Sequence, residues 1–163
     1  MNRVLTTFVA MVTYVFPSCG QTSYGEKLES LYRHTVPLID SEVLKEKTDV
    51  VILDVRSPEE YNVSHIDGAF MIDFDKFKPK DVASLNKNSE VIVYCSVGYR
   101  SERLGEKLQK MGFKDVKNLY GGIFEWKNQG HEVVNERDVP TDSVHTYNKA
   151  WSKWLEQGIK VYE

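Results

Sequence analysis

Val91-Ile92-Val93-Tyr94-Cys95-Ser96-Val97-Gly98-Tyr99-Arg100-Ser101 is the stretch whose reading decides the fold. Four apolar residues in a row, Val91 to Tyr94, predict a strand buried on both faces, as in a parallel sheet. Ser101-Glu102-Arg103-Leu104 then opens a helix. Leu104, Leu108 and Met111 recur at i, i+4 and i+7, so one apolar stripe faces the sheet, and Gly112 ends it. Between strand and helix lies a loop of five residues from Ser96 to Arg100. A short loop at a helix N-terminus turns backbone N–H groups inward and adds the positive end of the helix dipole. Those conditions lower a thiol's pKa, so Cys95 reads as a nucleophile. The alternative is an inert buried cysteine at a strand end.

Working outward, Ser57-Pro58-Glu59-Glu60 is a capping box, with Ser57 as N-cap, Pro58 at N1 and Glu60 at N3. It closes a strand over 50–55 and starts a short helix toward Tyr61. Asp54 and Arg56 thereby fall at the C-terminal edge of a strand, where open α/β sheets carry their sites. The alternative for them is a surface ion pair of little worth. Further strands are predicted over 69–72 and 116–119. Helices are predicted over 41–47, 77–85 and 123–128, with a helix-prone run around Leu28, Leu31 and Tyr32. Strands alternating with helices at this spacing argue an α/β fold with helices on both faces of a parallel sheet. Gly121-Gly122 reads as a tight strand-to-helix turn, and Trp126 as core.

These segments together resemble the rhodanese family. Cys95-Ser96-Val97-Gly98-Tyr99-Arg100-Ser101 is similar to its active-site loop, commonly C-R-x-G-x-R-S. Val51-Ile52-Leu53-Asp54-Val55-Arg56 resembles its D-x-R signature, and Ser64-His65-Ile66-Asp67-Gly68-Ala69 its G-H-I-x-G-A. Leu119 to Trp126 is similar to its L-x-G-G-x-x-x-W. The resemblance spans residues 37–134 and implies a five-stranded rhodanese-like sheet. It implies a sulfurtransferase that carries a sulfane sulfur as a persulfide on Cys95. Ser96, Val97, Gly98, Tyr99, Arg100 and Ser101 would bind the substrate, and Asp54, Arg56 and His65 would support the loop. The implied partners are a small sulfur donor such as thiosulfate and a thiol or cyanide acceptor, or a protein that accepts the sulfur. No cofactor is implied. Ser96 stands where Arg is common, which removes a positive charge and weakens the case for thiosulfate. Ser64 stands where Gly is common. Related phosphatase and arsenate reductase loops place Arg six positions after Cys; here the interval is five. A carrier or binding module that hands sulfur to one protein is the remaining alternative.

The 163 residues make one domain with extensions, and 41% apolar content suffices for a core. A net charge of −3 advertises no nucleic-acid surface, and no cysteine–histidine cluster has the spacing of a metal site. Residues 1–18 read as a signal peptide, with Arg3 ahead of an apolar run that is too short to span a bilayer. Ser18 before Cys19 resembles a bacterial lipoprotein signal, in which Cys19 is lipidated and the domain is exported to the membrane surface. The alternative is an ordinary signal peptide. With Cys19 lipidated, residues 19–36 would be a spacer with a short helical lead-in. In the tail, residues 135–163, Tyr147, Trp151, Trp154 and Leu155 follow helical spacing and predict an amphipathic helix ending at Gly158.

Overall fold

Alternate residues of the apolar strand serve two different cores, which is what a sheet covered on both sides requires. The computed structural model describes residues 23–162. In chain order the elements are α1 (Tyr24–Glu29), β1 (Leu38–Ile39), α2 (Ser41–Lys45), β2 (Val51–Asp54), α3 (Pro58–Val63) and β3 (Phe70–Met71). There follow β4 (Glu90–Tyr94), α4 (Tyr99–Lys110), β5 (Asp115–Leu119) and α5 (Gly122–Asn128). The chain ends in four short strands, β6 (Val133–Val134), β7 (Pro140–Thr141), β8 (Ser143–His145) and β9 (Ile159–Val161). Five strands form one sheet in the order β1-β5-β4-β2-β3, and every pairing in it is parallel.

The central strand β4 divides its side chains between the faces. Ile92 and Tyr94 join Leu44, Ile123, Phe124 and Trp126 in one core. Val91, Val93 and Cys95 join Leu104, Leu108 and Phe113 in the other. The predicted apolar stripe of α4 is therefore the lining of the second core. Trp126 lies in the first core, its indole N–H donating to the Glu132 carbonyl at 2.8 Å. The residues ahead of the sheet also belong to that core, since Leu28 and Tyr32 are buried in it.

Several local expectations are corrected. The helix after Cys95 begins at Tyr99, not Ser101, because Gly98 adopts φ 92° and turns the chain directly into it. Only a 3-10 turn over Pro79–Val82 forms within 77–85. The amphipathic helix of the tail does not form. Tyr147 has φ 64°, and the Asn148 side chain accepts from the N–H groups of Ala150 and Trp151, closing a turn instead of a helix. Parallel pairing of β8 with β9 then takes up the chain on either side. The helical spacing is still used: Leu155 is buried, and Trp154 stacks on Tyr24 at 5.5 Å. The hairpin of β6 with β7 has no counterpart in the sequence reading. Cys19 and residues 1–18 lie outside the described residues.

Candidate active site

A strand that stops and a helix that starts within four residues leave Cys95 at the bottom of a tight loop. Its thiol is buried, and Sγ accepts the Gly98 N–H at 3.2 Å. The first intrahelical bond of α4 runs from the Glu102 N–H to the Gly98 carbonyl. The N–H groups of Tyr99, Arg100 and Ser101 precede it, as the first turn of a helix demands. Burial pushes the Cys95 thiol pKa up, but the Arg100 charge and the N–H groups of Ser101 and Val97 outweigh it, so the net shift is downward. The Ser101 hydroxyl has a single proton, and its neighbour Asn118 takes it. Asn118 Nδ2 donates to the Gly98 carbonyl at 3.0 Å, so Oδ1 must be the acceptor of the Ser101 hydroxyl at 2.7 Å. Ser101 thus braces the loop, and Asn118 ties it to β5.

Arg100 is aimed by a carboxylate. Its Nη1 and Nη2 donate to Glu60 Oε2 and Oε1 at 2.8 and 2.7 Å. Ser96 Oγ donates to Glu60 Oε1 at 2.9 Å and accepts from Arg100 Nη2 at 3.1 Å. The same Glu60 accepts the Ser57 N–H, so the capping box of α3 holds the active loop as well. Burial alone would raise the Glu60 pKa; the Arg100 and Arg56 guanidinium groups hold it down at about 2. Its stabilising contribution is accordingly complete above the ordinary value of 4.5 and is lost as pH falls through about 2. Ser96, in the place of a free cation, thus joins a closed polar triad.

Two further elements grip the loop from behind. Ile123 and Phe124 N–H groups donate to the carbonyls of Cys95 and Ser96 at 2.9 and 3.2 Å. Gly122, at φ 57°, permits that approach, because a Cβ there would collide with the Cys95 carbonyl. Tyr32 Oη donates to the Val97 carbonyl at 2.8 Å and accepts the Gly121 N–H at 2.9 Å. Glu60, Tyr32 and Asn118 are the residues that sequence reasoning missed. The capping-box reading had already given the Glu60 carboxylate a local use, and the other two carry no local signal.

The supporting residues stand at different distances from the chemistry. Asp54 and Arg56 form a fully buried bidentate pair, with Arg56 Nε donating to Asp54 Oδ1 at 2.9 Å. Arg56 Nη2 also donates to the Ser64 carbonyl at 2.6 Å, fixing the end of α3 and hence Glu60. The pair is no surface bridge. His65 stacks on Tyr61 with ring centroids 3.8 Å apart, and its backbone exchanges hydrogen bonds with Val134. It does not line the cavity above Cys95. That cavity has a volume of about 390 Å³. Its walls include Cys95, Ser96, Val97, Tyr99 and Arg100 from the loop and α4, with Tyr147 and Trp151 from the tail.

One expected outcome follows from the charges. The rate of Cys95 alkylation by iodoacetamide should rise with pH at a midpoint below that of an ordinary cysteine, about 8.5. Arg100→Ala should move that midpoint upward, since burial then acts with less opposition. A midpoint that does not respond to the substitution would remove Arg100 from the activation of the thiol.

Comparison with known proteins fits this geometry. Residues 41–129 match the Rhodanese-like domain. YrkF of Bacillus subtilis, named as a sulfur carrier protein, is 38% identical over 96 residues, 56% of this chain and 51% of that one. The tRNA uridine(34) hydroxylase of Cytophaga hutchinsonii is 35% identical over 98 residues, 58% of this chain and 31% of that one. The chain therefore spans about half, or less, of the length of these curated relatives. A rhodanese-like domain protein from Staphylococcus aureus has a solved structure with TM-score 0.54 and 32% identity, covering 61% of this chain and 98% of that one. A rhodanese-related protein from Thermoplasma volcanium gives TM-score 0.57 and 29% identity, over 61% and 99% of the two chains.

Proposed function

Because the chain belongs to the rhodanese-like domain family, we propose that it transfers a sulfane sulfur through a persulfide on Cys95. The observation that carries this reading is the Cys95 sulfur beneath an open cavity, bonded to the Gly98 N–H at the N-terminus of α4. The Cys95 thiolate attacks the outer sulfur of the donor. A new S–S bond forms at Sγ, the donor's own bond to that sulfur breaks, and the remainder leaves with the electron pair. A nucleophilic acceptor, a thiol or cyanide, then attacks the outer sulfur and releases the thiolate. No oxidant is consumed. The inward N–H groups stabilise the anionic persulfide as an oxyanion hole stabilises developing charge. Arg100, held by Glu60, adds its charge to the same pocket. Phosphatase chemistry is disfavoured by the length of the loop, since Arg100 follows Cys95 by five positions where the related phosphate-binding loops need six.

Two covalent half-reactions demand ping-pong kinetics. Varying thiosulfate against cyanide should give parallel double-reciprocal lines, and the sulfur-loaded protein should be isolable before the acceptor is added. Intersecting lines with no loaded intermediate would refute a Cys95 persulfide. A second reading, a sulfur carrier serving one protein acceptor, draws support from the name of the Bacillus relative. It differs in the second half-reaction, where cyanide and small thiols would be poor acceptors and discharge slow.

We also propose that the domain works outside the cytoplasm, tethered by a lipid on Cys19. Arg3, the apolar run after it and Ser18 before Cys19 support this, and acyl chains hold a protein at about 0.8 kcal/mol per buried CH₂. Among the described residues no helix is long and apolar enough to cross a membrane. Fatty-acid label should appear on the native protein and disappear in Cys19→Ala. Unlabelled native protein with its N-terminus at another residue would point to a plain secretory signal.

A further inference from the structure

The cavity over Cys95 is walled by more rings than charges. Phe74, Tyr99, Tyr147 and Trp151 line it together with Leu31. Leu31, Tyr147 and Trp151 lie outside the stretch that matches the family, residues 41–129, so this part of the wall belongs to the chain's own extensions. They are held in place. Trp151 is fixed by the Asn148 turn and faced by Lys27 Nζ at 5.5 Å from its ring, and Trp154 beside it stacks on Tyr24. The Arg100 guanidinium lies 5.9 Å from the Tyr147 ring, which brings the tail to the reacting end of the pocket.

The charge at the lining points the same way. Arg100 and Asp75 are the ionic side chains of the wall. Both Nη groups of Arg100 are engaged by Glu60, and Ser96 supplies a hydroxyl in place of a second cation. The wall thus carries one cation and one carboxylate, and the cation is already paired with Glu60. A dianion such as thiosulfate finds no unopposed positive charge there, whereas an apolar group finds aromatic faces.

Resting on the sulfur-transfer reading above, we propose that the donor is an organic sulfane compound. It carries one apolar aryl or alkyl group and at most a single negative charge, and Tyr147 and Trp151 bind that group. A persulfide R–S–SH has this form. The Cys95 thiolate attacks its outer sulfur, a new S–S bond forms at Sγ as the donor's S–S bond breaks, and R–S⁻ leaves and is protonated by solvent. With an arylthiosulfonate the same attack releases an arylsulfinate, again with no net redox change.

The test compares three donors on the full chain: benzenethiosulfonate, methanethiosulfonate and thiosulfate, each read as kcat/KM to cyanide. The first two carry the same charge and differ in the apolar group, and the third replaces that group by an anionic oxygen. Benzenethiosulfonate should be the best donor and thiosulfate the poorest. Tyr147→Ala and Trp151→Ala should each lower the benzene-to-methane ratio by roughly two- to tenfold, the worth of one aromatic contact. The ratio is blind to any general effect of the substitutions on Cys95 or Arg100. Tyr147 is largely exposed, so its variant keeps the fold even if loss of Trp151 does not. A ratio unchanged in Tyr147→Ala, or a preference for thiosulfate, would overturn the proposal while leaving sulfur transfer standing. Failure of all three donors to load Cys95 would overturn the sulfur-transfer reading itself.

Discussion

Cys95→Ser should yield a folded protein that takes up no sulfur. The substitution replaces one small buried atom by another, and the Gly98 N–H keeps an acceptor, so stability should change by no more than about 1 kcal/mol. The chemistry, by contrast, has no substitute. A serine hydroxyl stays protonated where the cysteine is a thiolate, and a sulfane sulfur on oxygen would not persist. Among the described residues, no second thiol lines the cavity. Turnover should therefore fall by a factor on the order of 10³ or more, as removal of a covalent nucleophile does elsewhere. Treatment with donor should add about 32 mass units to the wild-type peptide containing residue 95, the mass of one sulfur, and none to the variant. Peptide mapping separates that site from Cys19. Sulfur recovered on the Cys95→Ser protein at wild-type stoichiometry would place the carrier elsewhere.

What could be read in the sequence, and what could not, divides along the range of the interactions. The strand before Cys95 was legible because burial on both faces leaves a mark on consecutive residues, and Val91 to Tyr94 bear it. Gly121 and Gly122 were legible as a turn because a left-handed backbone favours one residue type. The Glu60–Arg100 contact was not legible. Forty positions separate the two, and the capping box explains the acid so completely that nothing is left over to suggest a second task. Tyr32 and Asn118 reach the loop only because β5 and the lead-in of the chain are brought to it by the sheet order. The tail failed for the opposite reason. Its apolar spacing is real, but Asn148 and the left-handed Tyr147 stop a helix locally, and β8 with β9 recruits the residues around them. Periodicity records where apolar residues recur; the backbone that places them was settled by turn chemistry.

The largest effect on stability should come from Arg56→Ala, and it follows from where the D-x-R signature lies. Arg56 and Asp54 are completely buried, and the guanidinium is shared between the Asp54 carboxylate and the Ser64 carbonyl, with the Tyr94 ring 5.7 Å away. Removing the cation leaves Asp54 without its partner in a site closed to water. Breaking such a pair typically costs about 3–5 kcal/mol, several times the worth of an exposed bridge. For a domain of this size that lowers Tm by on the order of 10 °C. Activity should suffer beyond the loss of folded protein. Arg56 fixes the carbonyl at the end of α3, and α3 carries the Glu60 that aims Arg100 at the sulfur. In the folded fraction, the alkylation midpoint of Cys95 should therefore shift upward, in the same direction as in Arg100→Ala. The double variant Asp54→Ala with Arg56→Ala should be less destabilised than the sum of the two single variants, because it leaves no buried charge unpaired. Additive losses, or a single-variant loss below about 1 kcal/mol, would show that the pair behaves as a solvated bridge and that the signature holds the loop by some other means.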